Sequence, residues 1–279
     1  MNENTFNEIA DLALRETGQA FQTSKKYLME ARLAAISRRE SFATMDDLAH
    51  CLKARPNNRF KSEVAAALTD KLTRFFADPA LVELLATHAL PQQLAASKAG
   101  RLRVWCAGVA TGQEAYSLAM RIAELDSGPM RHAKVEIVAT DVSSECLVAA
   151  RNGVYGHFDV QKGLSIHRLM RYFSRQDSGD WLVNERIRSA VRFQHHNLLQ
   201  DADKLGQFDV IICRNVLRGM GRPMQKIAAA TVINQLSPGG LLFTGPDEDL
   251  SLLHEGIVRS RDIRGAWQRR LSSQNSVAA

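Results

Sequence analysis

The spacing of apolar residues changes partway along the chain. Up to about residue 85 they recur every three or four positions, the period of helices packed on one face. Phe6, Ile9, Ala10 and Ala13 share one such face. Leu28, Ala31 and Ala35 share another, on a helix whose polar side carries Lys25, Lys26, Arg32, Arg38 and Arg39. Thr44, with Asp47 three residues on and Leu48 opening an apolar face, predicts the capped start of a third helix. A fourth is predicted over residues 62–72. Asp78-Pro79 reads as the N-cap and first position of a fifth, containing Leu81, Leu84 and Leu85. Five helices without strands predict a small all-helical domain of about 75 to 80 residues.

Beyond residue 100 the pattern becomes one of short apolar runs. They are centred on Leu102, Val104 and Trp105, on residues 135–140, on Val191 and Phe193, on residues 208–213, and on residues 241–244 after Pro238-Gly239-Gly240. Helical spacing separates them, at Ala115, Leu118, Ala119 and Ile122, and at Ile227, Thr231 and Gln235 with Val232 and Leu236. Strands alternating with helices predict an α/β fold, a doubly wound and largely parallel sheet. Short apolar stretches in residues 257–271 read as edge strands, and residues 272–279 as a frayed end.

Candidate chemistry gathers where the predicted strands stop. The first strand runs into Gly108-Val109-Ala110-Thr111-Gly112 and then straight into a helix. Ligands of such sheets bind outside the carboxyl ends of the strands, and glycine lets the backbone approach them. The dinucleotide fingerprint G-x-G-x-x-G is broken, because Ala110 stands at its second glycine. Asp141 ends the second strand, and an acid there accepts from ribose hydroxyls, so an adenosine-type ligand is expected. His195-His196-Asn197-Leu198 follows the third strand and Arg214-Asn215-Val216 the fourth.

Composition narrows the classes. With 279 residues the chain has room for a large core and a second, smaller domain. The net charge is +6, yet no basic run interleaves with aromatics, so an acidic protein partner is expected rather than nucleic acid. Four cysteines without C-x-x-C spacing read as reduced thiols, and no third ligand is spaced to join His195 and His196 at a metal. No signal peptide and no transmembrane-length run is seen, which predicts a soluble cytoplasmic protein without membrane insertion.

The order of these pieces resembles the S-adenosylmethionine-dependent methyltransferases. It closely resembles one family of them, the chemotaxis receptor methyltransferases, CheR, which esterify glutamates on chemoreceptors. The matching blocks are Thr17-Gly18 with Lys25 and Arg32-Leu33, Leu72-Thr73-Arg74-Phe75-Phe76, the glycine turn with Gln113-Glu114-Ala115-Tyr116-Ser117, Ala139-Thr140-Asp141, Arg171-Tyr172-Phe173, Asn197-Leu198, Cys213-Arg214-Asn215-Val216, and Gly245 with Glu248. The resemblance implies a Rossmann-like sheet domain over residues 77–279, a helical domain over residues 1–76, and a small β-subdomain inserted at about residues 172–193. It implies S-adenosyl-L-methionine as cofactor, S-adenosyl-L-homocysteine as product, and a chemoreceptor or related signalling protein as partner.

Residue by residue, the resemblance places Thr73 and the Gly108 turn near the cofactor and Glu114 on its methionine part. It places Asp141 on the ribose, Asn197 and the Leu198 backbone on the adenine edge, and Asn215 and Val216 near sulfur and ribose. The basic second helix matches the one that faces the receptor. The turn at residues 176–180 lacks the glycine-rich extension of members that grip a receptor tail.

Three positions depart from the pattern. Lys71 replaces an asparagine, Ala77 an arginine and Gly219 a tyrosine. In CheR enzymes that arginine and tyrosine lie beside the transferring methyl group and the acceptor carboxylate. A guanidinium fork suits a carboxylate; alanine and glycine offer no such grip. Arg74 and Arg218 are the candidate substitutes. Three readings follow: a glutamate methyltransferase that grips through Arg74 or Arg218 or else runs slowly, a methyltransferase with a different acceptor, and a non-catalytic cofactor-binding regulator or scaffold.

Overall fold

Four helices bury their apolar faces against one another. They are α1 (Glu3–Thr17), α2 (Lys26–Arg39), α3 (Met45–Ala54) and α4 (Asn58–Ala67). Phe6, Ile9, Met29, Leu33, Leu48 and Val64 make a core of their own. The computed structural model describes residues 1–54, 58–97, 100–125 and 127–270; the frayed end expected at 272–279 lies outside them. The capping box at α3 forms: Asp47 N donates to Thr44 Oγ1 (3.1 Å) and Thr44 N to Asp47 Oδ2 (2.8 Å).

Three helix expectations need correction. In α2 the buried face is Met29, Leu33 and Ile36, while Ala31 and Ala35 face solvent. The longer side chains remove more apolar area from water, so they set the rotation of the helix. Helix α4 stops at Ala67 rather than 72. Thr69 Oγ1 donates back to Ala66 O (2.8 Å) and Asp70 Oδ1 accepts from Leu72 N (3.2 Å), local bonds that compete with another helical turn. The fifth helix belongs to the sheet, not to the helical unit. It comprises α5 (Pro79–Leu84), capped by Asp78 on Leu81 N (3.0 Å), a π-turn at Leu85–Ala89 and α6 (Leu90–Ala96). Val82, Leu85, Ala89 and Leu90 are buried in the core of the sheet domain.

Residues 71–74 join the two units in neither helix nor strand, so Arg74 is not on a helix. Phe75 and Phe76 then plug the chain into the sheet domain. Phe75 meets Tyr155 and Phe173 edge-on at 4.9 and 5.4 Å, and Phe76 N donates to Ser117 Oγ (2.9 Å).

The strands are β1 (Arg101–Ala107), β2 (Lys134–Asp141), β3 (Val154–Tyr155), β4 (Phe173–Arg175), β5 (Trp181–Val183), β6 (Val191–His195), β7 (Phe208–Cys213), β8 (Leu236–Thr244), β9 (Ile257–Arg259) and β10 (Ala266–Arg269). Seven form one sheet in the order β6-β2-β1-β7-β8-β10-β9. The first five are parallel, and β10 and β9 close the edge antiparallel. A separate three-stranded sheet has the order β3-β5-β4; β4 and β5 fall within residues 172–193, where an insertion is expected, and β3 precedes that span. The intervening helices are α7 (Gln113–Ala123), α8 (Ser144–Asn152), α9 (His157–Gln161), α10 (Ile166–Tyr172), α11 (Glu185–Arg188) and α12 (Arg222–Asn234). In α12 the buried face is Ala228, Ala229, Val232 and Ile233, with Ile227 exposed and Leu236 starting β8. Two adjacent alanines there let the helix lie close to the sheet. Strand order reverses between β1 and β7, the switch point where such sheets open a crevice.

The corrected α2 face is testable by denaturant unfolding. Leu33→Ala should destabilise the protein by about 2–5 kcal/mol, while Ala35→Ser should stay within about 0.5 kcal/mol. Equal effects would restore the original face.

Candidate functional site

At the end of β1 the chain turns on its own backbone. Gly108 N and Val109 N both donate to Thr140 O, at 2.8 and 3.1 Å. Gly108 has φ +75°, and a Cβ there would lie 2.4 Å from Val216 Cγ2. Ala110 takes a left-handed φ of +48° without being glycine. Its N–H donates to Asp141 Oδ2 (2.8 Å), while Asp141 Oδ1 accepts from Ser143 N (2.8 Å). Asp141 thus fastens the glycine turn to the end of β2, and Ser143 is the residue that caps α8. Burial pushes the Asp141 carboxyl above its ordinary pKa, opposed by those two N–H bonds. A carboxylate offers about four lone-pair positions, so roughly two remain for a ligand.

The β7 end is fastened in the same way from a distance. Asn215 has φ +60°. Glu248 Oε2 accepts from Asn215 N (2.8 Å) and Gly245 N (2.7 Å), and its Oε1 accepts from Arg218 N (3.0 Å). Between the β1 and β7 turns lies Arg214, its guanidinium 2.9 Å from Asp78 and 3.7 Å from Glu114. Burial raises the pKa of Glu114, and Arg214 pulls it back down.

At the β6 end Asn197 is occupied on both sides. Its Nδ2 donates to Glu16 O (2.6 Å) and its Oδ1 accepts from Leu199 N (3.0 Å). Leu198 is buried beside it. His195 is exposed, its Nε2 3.0 Å from Val142 O. His196 sets its ring edge-on to Trp105 at 5.9 Å, and burial lowers its pKa.

These ends open on one cleft of about 1370 Å³, larger than the roughly 300–1,000 Å³ of ordinary small-molecule sites. Thr73, Gly108, Glu114, Asp141, Asn197, Leu198, Asn215 and Val216 all line it. So do Arg74 and Arg218, together with Ala77 and Gly219. Arg74 reaches Ala77 from the linking segment, donating from Nη2 to Ala77 O (3.2 Å). Arg218 is half-exposed, 3.9 Å from Asp70. Seven cationic side chains line the cleft against four acidic ones, so its field favours an anionic second reactant. Sequence reasoning had no role for Arg214, although it sits inside a matching block, nor for the three N–H groups gathered by Glu248. Gln19, which also lines the cleft, carried no signal at all.

Gly108→Ala tests the turn. It imposes about 1–2 kcal/mol for the left-handed backbone, plus the clash with Val216. Adding Val216→Ala should recover only the clash in a thermal unfolding assay. Full recovery would mean that backbone conformation is irrelevant there.

Comparison with known proteins accounts for this arrangement. Residues 71–263 match the family model of the CheR methyltransferase SAM-binding domain, and residues 4–73 that of the CheR methyltransferase all-alpha domain. A chemotaxis protein methyltransferase of Pseudomonas putida is 34% identical over 230 residues, covering 82% of this chain and 84% of that protein. One from Pseudomonas aeruginosa is 35% identical over 238 residues, covering 85% and 86%. One from Escherichia coli is 33% identical over 256 residues, covering 89% and 85%. The chain belongs to the CheR methyltransferase family and is an S-adenosylmethionine-dependent methyltransferase of that type.

Proposed function

We propose that the chain methylates a glutamate carboxylate on a chemoreceptor or related signalling protein, in the cytoplasm. What supports this most directly is the cationic surplus of a cleft too large for one small ligand, in a family whose relatives are named for chemotaxis. Residues 1–76 act as a helical domain and residues 77–279 as the catalytic one; the helical core ends at Leu68, and Phe75 and Phe76 reach into the core of the sheet domain. Among the described residues no helix is long and apolar enough to cross a membrane.

The site residues take these roles. Asp141 holds ribose hydroxyls with its remaining lone pairs. Glu114, kept near Arg214, holds the ammonium of the methionine part. The Leu198 backbone meets the adenine edge, and Asn197 acts through the turn it fixes. Asn215 and Val216 flank the sulfur, Thr73 closes the near side, and Gly108 lets the backbone come close. The cofactor's sulfonium supplies an electrophilic methyl group. A glutamate acceptor has an ordinary pKa of about 4.3 and is ionised at neutral pH, so no general base is required. The protein's contribution is alignment: Arg74 and Arg218 orient the carboxylate that Ala77 and Gly219 leave ungripped.

Titration calorimetry with S-adenosylhomocysteine tests the cofactor roles. Asp141→Ala should weaken binding about 30-fold, near 2 kcal/mol for a lost charged acceptor. Glu114 must be ionised to hold an ammonium, and its pKa is raised above the ordinary 4.5. Affinity should therefore fall as pH is lowered through that raised value, and Glu114→Gln should flatten the dependence. Equal affinity for wild type and the Asp141 variant would remove Asp141 from the site.

A methyl-transfer assay on chemoreceptor cytoplasmic fragments tests the grip. Arg74→Ala or Arg218→Ala should each cut kcat/KM by roughly 30- to 1,000-fold, about 2–4 kcal/mol. If both variants match wild type, neither arginine orients the acceptor. If wild type itself transfers nothing to the fragments, the acceptor is something else.

A further inference from the structure

At Gly219 the room for a side chain is taken by one from elsewhere in the chain. The glycine's backbone does not lie in the left-handed region, so no conformational demand excludes a side chain. A Cβ at that position would instead meet the amide of Gln19, 3.0 Å from Oε1 and 3.2 Å from Nε2. The helical domain delivers Gln19 there. Helix α1 ends on Gly18, whose left-handed φ of +77° turns the chain toward the loop after β7. A short antiparallel bridge follows: Ala20 N donates to Gly219 O (2.9 Å) and Gly221 N to Gly18 O (3.0 Å).

The orientation of the amide is set by its surroundings. Nε2 faces two carbonyls, Gly219 O at 2.9 Å and Ala20 O at 3.3 Å, and only the NH2 end can donate to them. Oε1 therefore points the other way. Among the described residues it has no hydrogen-bond partner, it is not sealed from solvent, and both Gln19 and Gly219 line the cleft.

We propose that Gln19 is a specificity-determining residue for the methyl acceptor, an amide from the helical domain standing in the volume that a side chain at position 219 would claim. This rests on the acceptor end of the cleft as read above. A neutral amide oxygen accepts N–H or O–H and repels another bare oxygen at the same distance. It steers a reacting carboxylate away from Gly219, toward Arg218 and Arg74. It also favours an acceptor polypeptide that brings an N–H donor beside its reacting carboxylate.

The test uses the full chain and chemoreceptor cytoplasmic fragments. Gln19→Leu keeps bulk and loses the amide. The KM for the fragment should rise roughly tenfold or more, about one lost hydrogen bond, with methylation spreading to other sites by mass spectrometry. The Tm should fall modestly, for the lost Nε2 bonds to Gly219 O and Ala20 O, while S-adenosylhomocysteine affinity holds; a merely structural role would leave KM and site choice unchanged. Shared volume is tested separately by thermal unfolding. Gly219→Tyr should lower the Tm in the wild-type background and be tolerated in a Gln19→Gly background. Additive Tm effects, or an unchanged KM and site choice in Gln19→Leu, would overturn the proposal. If wild type binds the product but methylates no fragment, the glutamate reading fails and the Tm cycle alone decides whether Gln19 holds that space.

Discussion

Two buried carboxylates hold the working edge of this protein together. Parallel strands end in turns whose N–H groups have no ladder partners, and a buried N–H left unpaired costs about 1–3 kcal/mol. Asp141 takes the N–H groups of Ala110 and Ser143, and Glu248 those of Asn215, Gly245 and Arg218. Both Ala110 and Asn215 sit in left-handed conformations that ordinary residues avoid, and each is stabilised by one of these acids. The strand-end turns that line the cleft are therefore preorganised by charge-assisted bonds rather than by apolar packing alone.

The sheet was legible because buried parallel strands are written as continuous apolar runs. Residues 208–213 were bounded correctly for that reason, and the strand leading to Asp141 nearly so. The capping box at Thr44 was legible because its partners are three residues apart. What escaped notice depends on long separations. Glu248 reaches residues about thirty positions away, and Gln19 meets Gly219 across 200. No local pattern encodes such meetings. The α2 face was misread for another reason: two faces with similar periods competed, and the bulk of Met29 and Leu33 decided between them.

The helical domain is more than an attachment. Residues 16–20 touch the turn after β6 through Asn197 and the loop after β7 through Gly219, so one short segment spans both walls of the cleft. The cleft is lined both by the strand-end turns and by Thr17, Gln19, Lys25 and Arg32 of the helical unit. Such a division would let one set of lining residues change while the other stays fixed.

That cleft carries a chemical hazard. Cys106 near the end of β1 and Cys213 at the end of β7 come just before, in their strands, the turns that line the cleft. A thiolate is a far better nucleophile than a carboxylate, and one in reach would capture the methyl group itself. Burial pushes both thiols well above their ordinary pKa, with the nearby Glu114 and Glu248 charges pushing the same way. Buried inside the sheet and not among the residues that line the cleft, both thiols would be kept from a reagent bound there.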